Sequence, residues 1–235
     1  MYRFDSRVRY SETDERGCLS ITGIMNYLQD CSTFHSEDVG GGLAYLNEHH
    51  QAWWLSSWQI VIDRYPRLGE RIVMGTWPYE RKGIYAYRNF TIQDLKGGYL
   101  VRANSVWFLF DTKAGRPVRV KEEDVKRYGG PEERLAMDYA PRKIALPENY
   151  EEREPVLVMK HHIDTNHHVN NAQYVEIVRE LLPDDFYITE LRAEYKKAAV
   201  LGDSMIPQVC RTEEGYVAAL CDMDKNPYAM IWMRG

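Results

Sequence analysis

The chain has no apolar run approaching the roughly 20 residues that a membrane-spanning helix requires, so no span is expected. It has no basic excess either. Thirty Lys and Arg against 35 Asp and Glu leave a net charge of −5, which argues against a general nucleic-acid-binding surface. Its four cysteines, Cys18, Cys31, Cys210 and Cys221, show no CxxC spacing and no disulfide density; reduced thiols in a cytosol are the expectation. No Gly-x-Ser-x-Gly stretch occurs, so a serine nucleophile elbow has no support. Gly40-Gly41-Gly42 lacks the Lys-Ser/Thr of a phosphate loop and reads as a connector. The first residues, Met1-Tyr2-Arg3-Phe4-Asp5, alternate and do not read as a signal peptide, so a cytoplasmic location is expected.

What is present leans towards strands. Tyrosine is abundant at 17 residues, beside six Trp and six Phe, and aromatic side chains favour pleated, half-buried surfaces. A first strand over residues 2–10 leads to a polar turn ending at Cys18. Ser20 or Thr22 can cap a helix whose apolar residues Ile21, Ile24, Met25, Leu28 and Cys31 recur at helical spacing to about residue 36. Four strands follow near residues 53–65, 70–80, 84–94 and 99–111, separated by Pro66, Gly69, Gly83 and Gly97-Gly98. Residues 112–154 are rich in charge and proline and read as a surface-crossing linker. A strand at 156–162, a helix at 171–182 and strands near 188–198, 203–211, 215–222 and 227–233 then repeat the first pattern.

The repeat has internal landmarks. Asp164 and His168 stand 150 positions after Asp14 and Cys18, and Leu201-Gly202-Asp203 stands 133 after Leu68-Gly69-Glu70. Two copies of strand, helix and meander imply two similar sheets, each wrapping its own helix.

The stretch Asp164-Thr165-Asn166-His167-His168-Val169-Asn170-Asn171 sets an acid, a carboxamide and an imidazole at alternate positions before a helix. If extended, period two points Asp164, Asn166 and His168 to one side. This motif, with Tyr174 three residues on, Glu194-Tyr195-Lys196-Lys197 and Gly202-Asp203-Ser204, resembles the acyl-acyl carrier protein thioesterases of plants and bacteria. The first half is similar too, in Trp58 and Ile60, Leu68-Gly69-Glu70, Thr76-Trp77, Arg88-x-Phe90-x-Ile92-x-Asp94, Ser105-x-Trp107 and Asp111 with Pro117 and Arg119. The resemblance implies an α+β double hotdog: residues 1–120 as one hotdog, 121–154 as linker, and 155–235 as the second, carrying the catalytic motif. It also implies hydrolysis of the thioester between a fatty acyl chain and the phosphopantetheine arm of acyl carrier protein. One departure stands out, because Ala198 occupies the position where the family usually carries an acid.

The expected catalytic set is Asp164, Asn166 and His168. An imidazole with a pKa near ~6.5 can take a proton from water at neutral pH. His168 is therefore assigned as general base, Asp164 as its orienter, and Asn166 as holder of the carbonyl or the water. Backbone N–H groups at Val169–Asn171 are expected to meet the oxyanion. No cofactor is implied. His161-His162 and His167-His168 show no tetrahedral ligand spacing, so no metal is expected. Cys18 reads as a small packing residue in a degenerate copy of the site. Carrier proteins are acidic, which makes Lys196-Lys197, Arg81-Lys82 and Arg142-Lys143 candidate docking cations. Alternatives are an acyl-CoA thioesterase or, given Ala198, a low-activity or non-catalytic acyl- or carrier-binding protein. The internal duplication permits a homodimer without requiring one.

Overall fold

The structure is a computed structural model that describes residues 1–235. The chain divides into two compact units, residues 1–56 with 60–139, and residues 57–59 with 140–235.

The first unit carries β1 (Tyr2–Arg7), α1 (Ile21–Asp38), α2 (Leu43–Glu48), β2 (Gln51–Ile62), β3 (Arg71–Lys82), β4 (Tyr85–Gln93), β5 (Tyr99–Asp111), β6 (Arg116–Val118) and α3 (Glu122–Lys126). Its strands lie in the order β1-β3-β4-β5-β2, with β6 on β5. α1 starts because the Ser20 hydroxyl accepts the Gly23 N–H at 3.0 Å. Glycine leaves the room this turn uses, since a Cβ at 23 would lie 2.7 Å from the Leu19 side chain and 3.0 Å from the Glu12 carbonyl. The face with Ile24, Met25, Leu28 and Cys31 is fully buried, and α1 packs against β1, β3 and β4. Burial of each large aliphatic side chain contributes about 1.5–3 kcal/mol. A helix inside a wrapped antiparallel sheet is the hotdog arrangement.

The second unit carries β7 (Glu151–Glu152), β8 (Val156–Leu157), α4 (Asn171–Arg179), β9 (Glu190–Tyr195), β10 (Ser204–Arg211), β11 (Gly215–Cys221) and β12 (Pro227–Arg234). Strand order is β9-β12-β11-β10-β7, and β8 pairs with β10. Along β9, Leu191 and Ala193 are buried on one face. α4 buries Ala172, Tyr174, Val175, Ile177 and Val178 and packs on β12. The second unit thus repeats the first, and the fold is an α+β double hotdog.

The charged stretch between the repeats is held by buried contacts within each unit. In the first, Val120 and Val125 pack with Leu109, and the buried Asn89 carboxamide oxygen accepts the Leu135 N–H and the Tyr139 O–H, both at 3.0 Å. In the second, Ile144 and Leu146 pack on Val217, Ala219, Cys221, Met230 and Trp232. Here the Glu194 carboxylate accepts the Ile144 N–H at 3.1 Å, and Arg192 donates to the carbonyls of Pro141 and Lys143.

Three local expectations change. α2 was not visible as a helix beside the triple glycine, because its N-terminus is capped from outside by the Glu37 carboxylate, 2.8 Å from the Leu43 N–H. α4 ends at Arg179 rather than 182, with Glu180 as cap and Leu181 and Leu182 in a turn before Pro183. The strand expected over 156–162 is only β8; beyond it, residues 160–162 form a 3-10 turn in which the Met159 N–H donates to His162 Nδ1 at 3.0 Å.

Candidate active site

The stretch from Asp164 to Asn171 is not extended, so alternation is not what groups its polar residues. It is a closed loop between a bridge pairing Ile163 with Val169 and the start of α4. The Asp164 N–H donates to the His168 carbonyl at 2.8 Å, and the His167 N–H to the Asp164 carbonyl at 3.1 Å. Inside the loop, Asp164 Oδ1 accepts the backbone N–H of Asn166 at 2.8 Å and of His168 at 3.4 Å. Its other oxygen meets only the Asn166 amide, at 3.5 Å, the outer limit of a hydrogen bond. Short side chains with this reach compete with regular backbone bonding, which is why the segment turns. Asp164 and His168 are half-buried and Asn166 is exposed. The loop therefore brings the three expected residues together, with Asp164 acting on the backbone of the other two.

The first unit contains the same loop and serves as an internal control. The Asp14 N–H donates to the Cys18 carbonyl at 2.8 Å, and Asp14 Oδ1 accepts the N–H groups of Arg16 and Cys18 at 3.1 and 2.9 Å. Both loops follow a 3-10 turn, residues 10–12 and 160–162, and both end at a helix cap, Ser20 and Asn170. Gly17 has φ +69° and His167, its counterpart, φ +61°. Bonding common to both copies builds the loop; the differences carry any chemistry. In the first copy Arg16 grips Asp14 Oδ2 through Nε and Nη2 at 3.0 and 2.9 Å, and a thiol occupies position 18. In the second copy no cation occupies the acid, and the thiol is replaced by the His168 imidazole.

Two tyrosines missed by the sequence reading tie this loop to the segment after β9. Tyr195 donates its O–H to the Asn171 carbonyl, and Tyr174 Oη accepts the Ala199 N–H, both at 2.9 Å. The Ala199 carbonyl then accepts the Val169 N–H at 2.9 Å. Burial pushes the Tyr174 phenol up to about 12 and raises that of Tyr195 well above its ordinary value, so both stay neutral. Their signal was present in the motif, where Tyr174 follows Asn170-Asn171 and Tyr195 precedes Lys196-Lys197. This chain of bonds narrows the oxyanion expectation. The Val169 N–H goes to Ala199 and the Asn170 N–H to the His162 carbonyl at 2.8 Å, leaving the Asn171 N–H at the first position of α4.

Ala198 is half-buried and directly precedes Ala199, whose carbonyl binds the Val169 N–H, so position 198 adjoins the loop in the backbone hydrogen-bond pattern. Two nearby carboxylates are committed elsewhere. Asp203 accepts the Tyr228 O–H at 3.1 Å, and Asp222 is paired with Lys197 at 2.9 Å and held at about 2, chiefly by that lysine and by the Asn226 N–H. Of the candidate docking cations, Lys197 is thus occupied, Lys196 is paired with Glu194 at 3.3 Å, and Arg81 lies 3.8 Å from Glu122. His162 is buried, its pKa lowered by that burial and then by His161, whose ring lies 4.0 Å away. No group of three or more His, Cys, Asp or Glu is arranged to hold a metal ion. No helix is long and apolar enough to cross a membrane.

Comparisons with known proteins bear on the family and the fold. Residues 1–128 match the model of the acyl-ACP thioesterase N-terminal domain, and residues 147–224 that of the C-terminal domain. A chloroplastic acyl-[acyl-carrier-protein] hydrolase of Cuphea viscosissima, FATB1, is 26% identical over 223 residues, covering 88% of this chain and 53% of its own. A chloroplastic dodecanoyl-[acyl-carrier-protein] hydrolase of Cinnamomum camphora is 22% identical over 232 residues, covering 92% and 60%. The chain thus spans little more than half the length of these curated relatives. Among solved structures, an acyl-ACP thioesterase from Bacteroides thetaiotaomicron superposes with TM-score 0.89 at 23% identity, covering 99% of this chain and 96% of its own. The 12:0-ACP thioesterase from Umbellularia californica superposes with TM-score 0.87 at 20% identity, with the same coverage. With both of its halves matched in order, the chain belongs to the acyl-ACP thioesterase family.

Proposed function

We propose that this protein hydrolyses the thioester of fatty acyl-acyl carrier protein, releasing a free fatty acid and ending chain elongation. One observation carries the reading: two copies of one hydrogen-bonded loop differ where it matters, with His168 standing where the other copy has Cys18 and Asp164 freed of the arginine that occupies Asp14. In the proposed reaction His168 removes a proton from water as the oxygen attacks the thioester carbonyl. Asp164 fixes the His168 and Asn166 backbone, Asn166 holds the carbonyl or the water, and the Asn171 N–H meets the developing oxyanion. Collapse breaks the C–S bond, and the imidazolium returns its proton to the departing phosphopantetheine thiolate, a good leaving group because thiols have pKa values near ~8.5. No cofactor is needed for this sequence. The reading places the reaction in the cytoplasm and leaves a homodimer open to measurement by sedimentation.

A second reading is favoured by Ala198. Without an acid there, the loop retains only the carboxylate of Asp164, and the protein would bind acyl carrier or acyl chain with slow turnover. The same acyl groups presented on acyl carrier protein and on coenzyme A, over a range of chain lengths, separate the readings. Free fatty acid released faster from the carrier protein supports the proposal. Equal or greater rates on coenzyme A make this an acyl-CoA thioesterase, and a stable carrier complex without acid release makes it a binding protein.

A further inference from the structure

Strand β4 places Arg88, Phe90 and Ile92 on the same pleat, and period two turns all three towards one face. Phe90 and Ile92 are fully buried and Arg88 is 8% exposed, which is an uncommon position for a guanidinium. A buried cation is normally paired with a carboxylate, because its loss of hydration is otherwise uncompensated. Arg88 has none. Its Nη1 donates to Thr76 Oγ1 and to His35 Nδ1, each at 3.1 Å, and its guanidinium lies over the Tyr128 ring at 4.9 Å. Arginine cannot accept, so His35 Nδ1 is the acceptor and the imidazole is neutral. Burial first, then Arg88, lowers His35 to about 4, in keeping with that neutrality. Asp38, on the last turn of α1, is engaged by the Tyr2 O–H at 2.6 Å.

Both hydrogen-bond partners therefore lie on one nitrogen. The Nε–H and the Nη2–H groups have no protein acceptor, and Nε with Nη2 forms the edge of a guanidinium that presents two parallel donors. That edge matches the two oxygens of a carboxylate. The charge matches too, since one cation beside a neutral histidine balances one negative charge and not a phosphate dianion. The neighbouring side chains are apolar: Cys31 of α1, close enough to feel the Arg88 charge, and Phe90 and Ile92 of β4 are buried and none carries a charge.

We propose that the Nε/Nη2 edge of Arg88, backed by His35 and Thr76, is a carboxylate-binding site in the first unit, and that it takes the free carboxylate of a fatty acid. The choice of a fatty acid rests on the proposed hydrolysis; the carboxylate fork does not. The fork belongs to the first unit, whose loop carries Cys18 where the second carries His168.

The test is calorimetric binding of dodecanoate, dodecan-1-ol and acetate to the full chain, in wild type, Arg88→Lys, Arg88→Met and His168→Ala. Dodecanoate is expected to bind wild type about 10- to 100-fold more tightly than the alcohol, the range for a charge-assisted hydrogen-bonded pair. Arg88→Lys, which keeps the charge without the fork, should lose about tenfold for dodecanoate and nothing for dodecan-1-ol. Arg88→Met should abolish the preference for the acid, and His168→Ala should leave it intact. With [1-13C]dodecanoate, the carboxyl signal should titrate at lower pH when bound to wild type than when free. The proposal is overturned if acid and alcohol bind wild type alike, if Arg88→Lys keeps the full preference, or if His168→Ala removes it. If Arg88→Met does not fold, Arg88→Lys and the 13C titration still decide. Hydrolysis of acyl-carrier protein is measured in parallel: its absence would sink the enzymatic reading without touching the fork, and dodecanoate without preference would sink the fork without touching the enzyme.

Discussion

Removing Asp14 and Asp164 in turn should affect stability and activity in opposite orders. Asp14 accepts two backbone N–H groups at 3.1 and 2.9 Å and two guanidinium contacts from Arg16 at 3.0 and 2.9 Å. Asp164 accepts one good backbone bond at 2.8 Å, a long backbone bond at 3.4 Å and a side-chain amide contact at 3.5 Å. A hydrogen bond to a charged group contributes about 1.5–3 kcal/mol, and the Arg16 pair, partly exposed, adds no more than ~1 kcal/mol. Because the freed N–H groups lie in exposed or part-buried loops and can turn to water, less than the full sum is lost: Asp14→Ala is expected to cost about 2–3 kcal/mol and Asp164→Ala about 1–2 kcal/mol. For a chain of this size that lowers Tm by roughly 4–12 °C and 2–8 °C, read by scanning calorimetry. Activity reverses the order. Asp164→Ala should cut kcat for acyl-carrier hydrolysis by about 10² or more, because it frees the backbone that aims His168. Asp14→Ala should change kcat less than about threefold at temperatures where it is folded. Equal losses of kcat in the two variants would refute the claim that the copies share a scaffold but not a chemistry, and so would a kcat unchanged in Asp164→Ala.

Three further outcomes follow from the same structure. Ala198→Glu restores a carboxylate beside the loop and should raise kcat for acyl-carrier hydrolysis; a fall in kcat with unchanged Tm would show that no acid belongs there. His167 holds a left-handed φ of +61° where the other copy has Gly17, so His167→Gly should leave Tm unchanged or raise it by a degree or two, whereas His167→Val should lower it. His35 sits at about 4, below the ordinary histidine value of ~6.5, so the unfolded chain binds a proton that the folded chain does not between those pH values. Unfolding free energy from denaturant titration should therefore fall as pH drops from about 6.5 to about 4, and His35→Gln should flatten that slope; an unaltered slope would place its origin elsewhere.

The parts of the fold governed by local periodicity were readable in the sequence. The start of α1 at a serine cap, the four long strands of the first unit and the duplication at offsets of 150 and 133 all lie near their expected positions. What was hidden depends on bonds between residues distant in sequence. α2 is capped by Glu37 from another element, and the 140–146 strap is held by Arg192 and Glu194 roughly fifty residues on. Tyr174 and Tyr195 looked like helix and strand positions, yet each serves the loop through a backbone group 24 or 25 residues away. The candidate triad was legible as a motif but not as a geometry. Alternation suggested a strand, and the Asp164 carboxylate overrode it by binding the backbone two and four residues later. Arg88 was visible within its motif, but its unpaired edge could be seen only once α1 and β3 were packed around it.

The central claim is that His168 is the base that activates water. Single-turnover release of free fatty acid from acyl-carrier protein, measured for wild type and His168→Ala at matched folded fraction, tests it most directly. The account predicts a rate about 10²–10⁴ lower in the variant with carrier-protein binding preserved. Near-wild-type release by His168→Ala would contradict it.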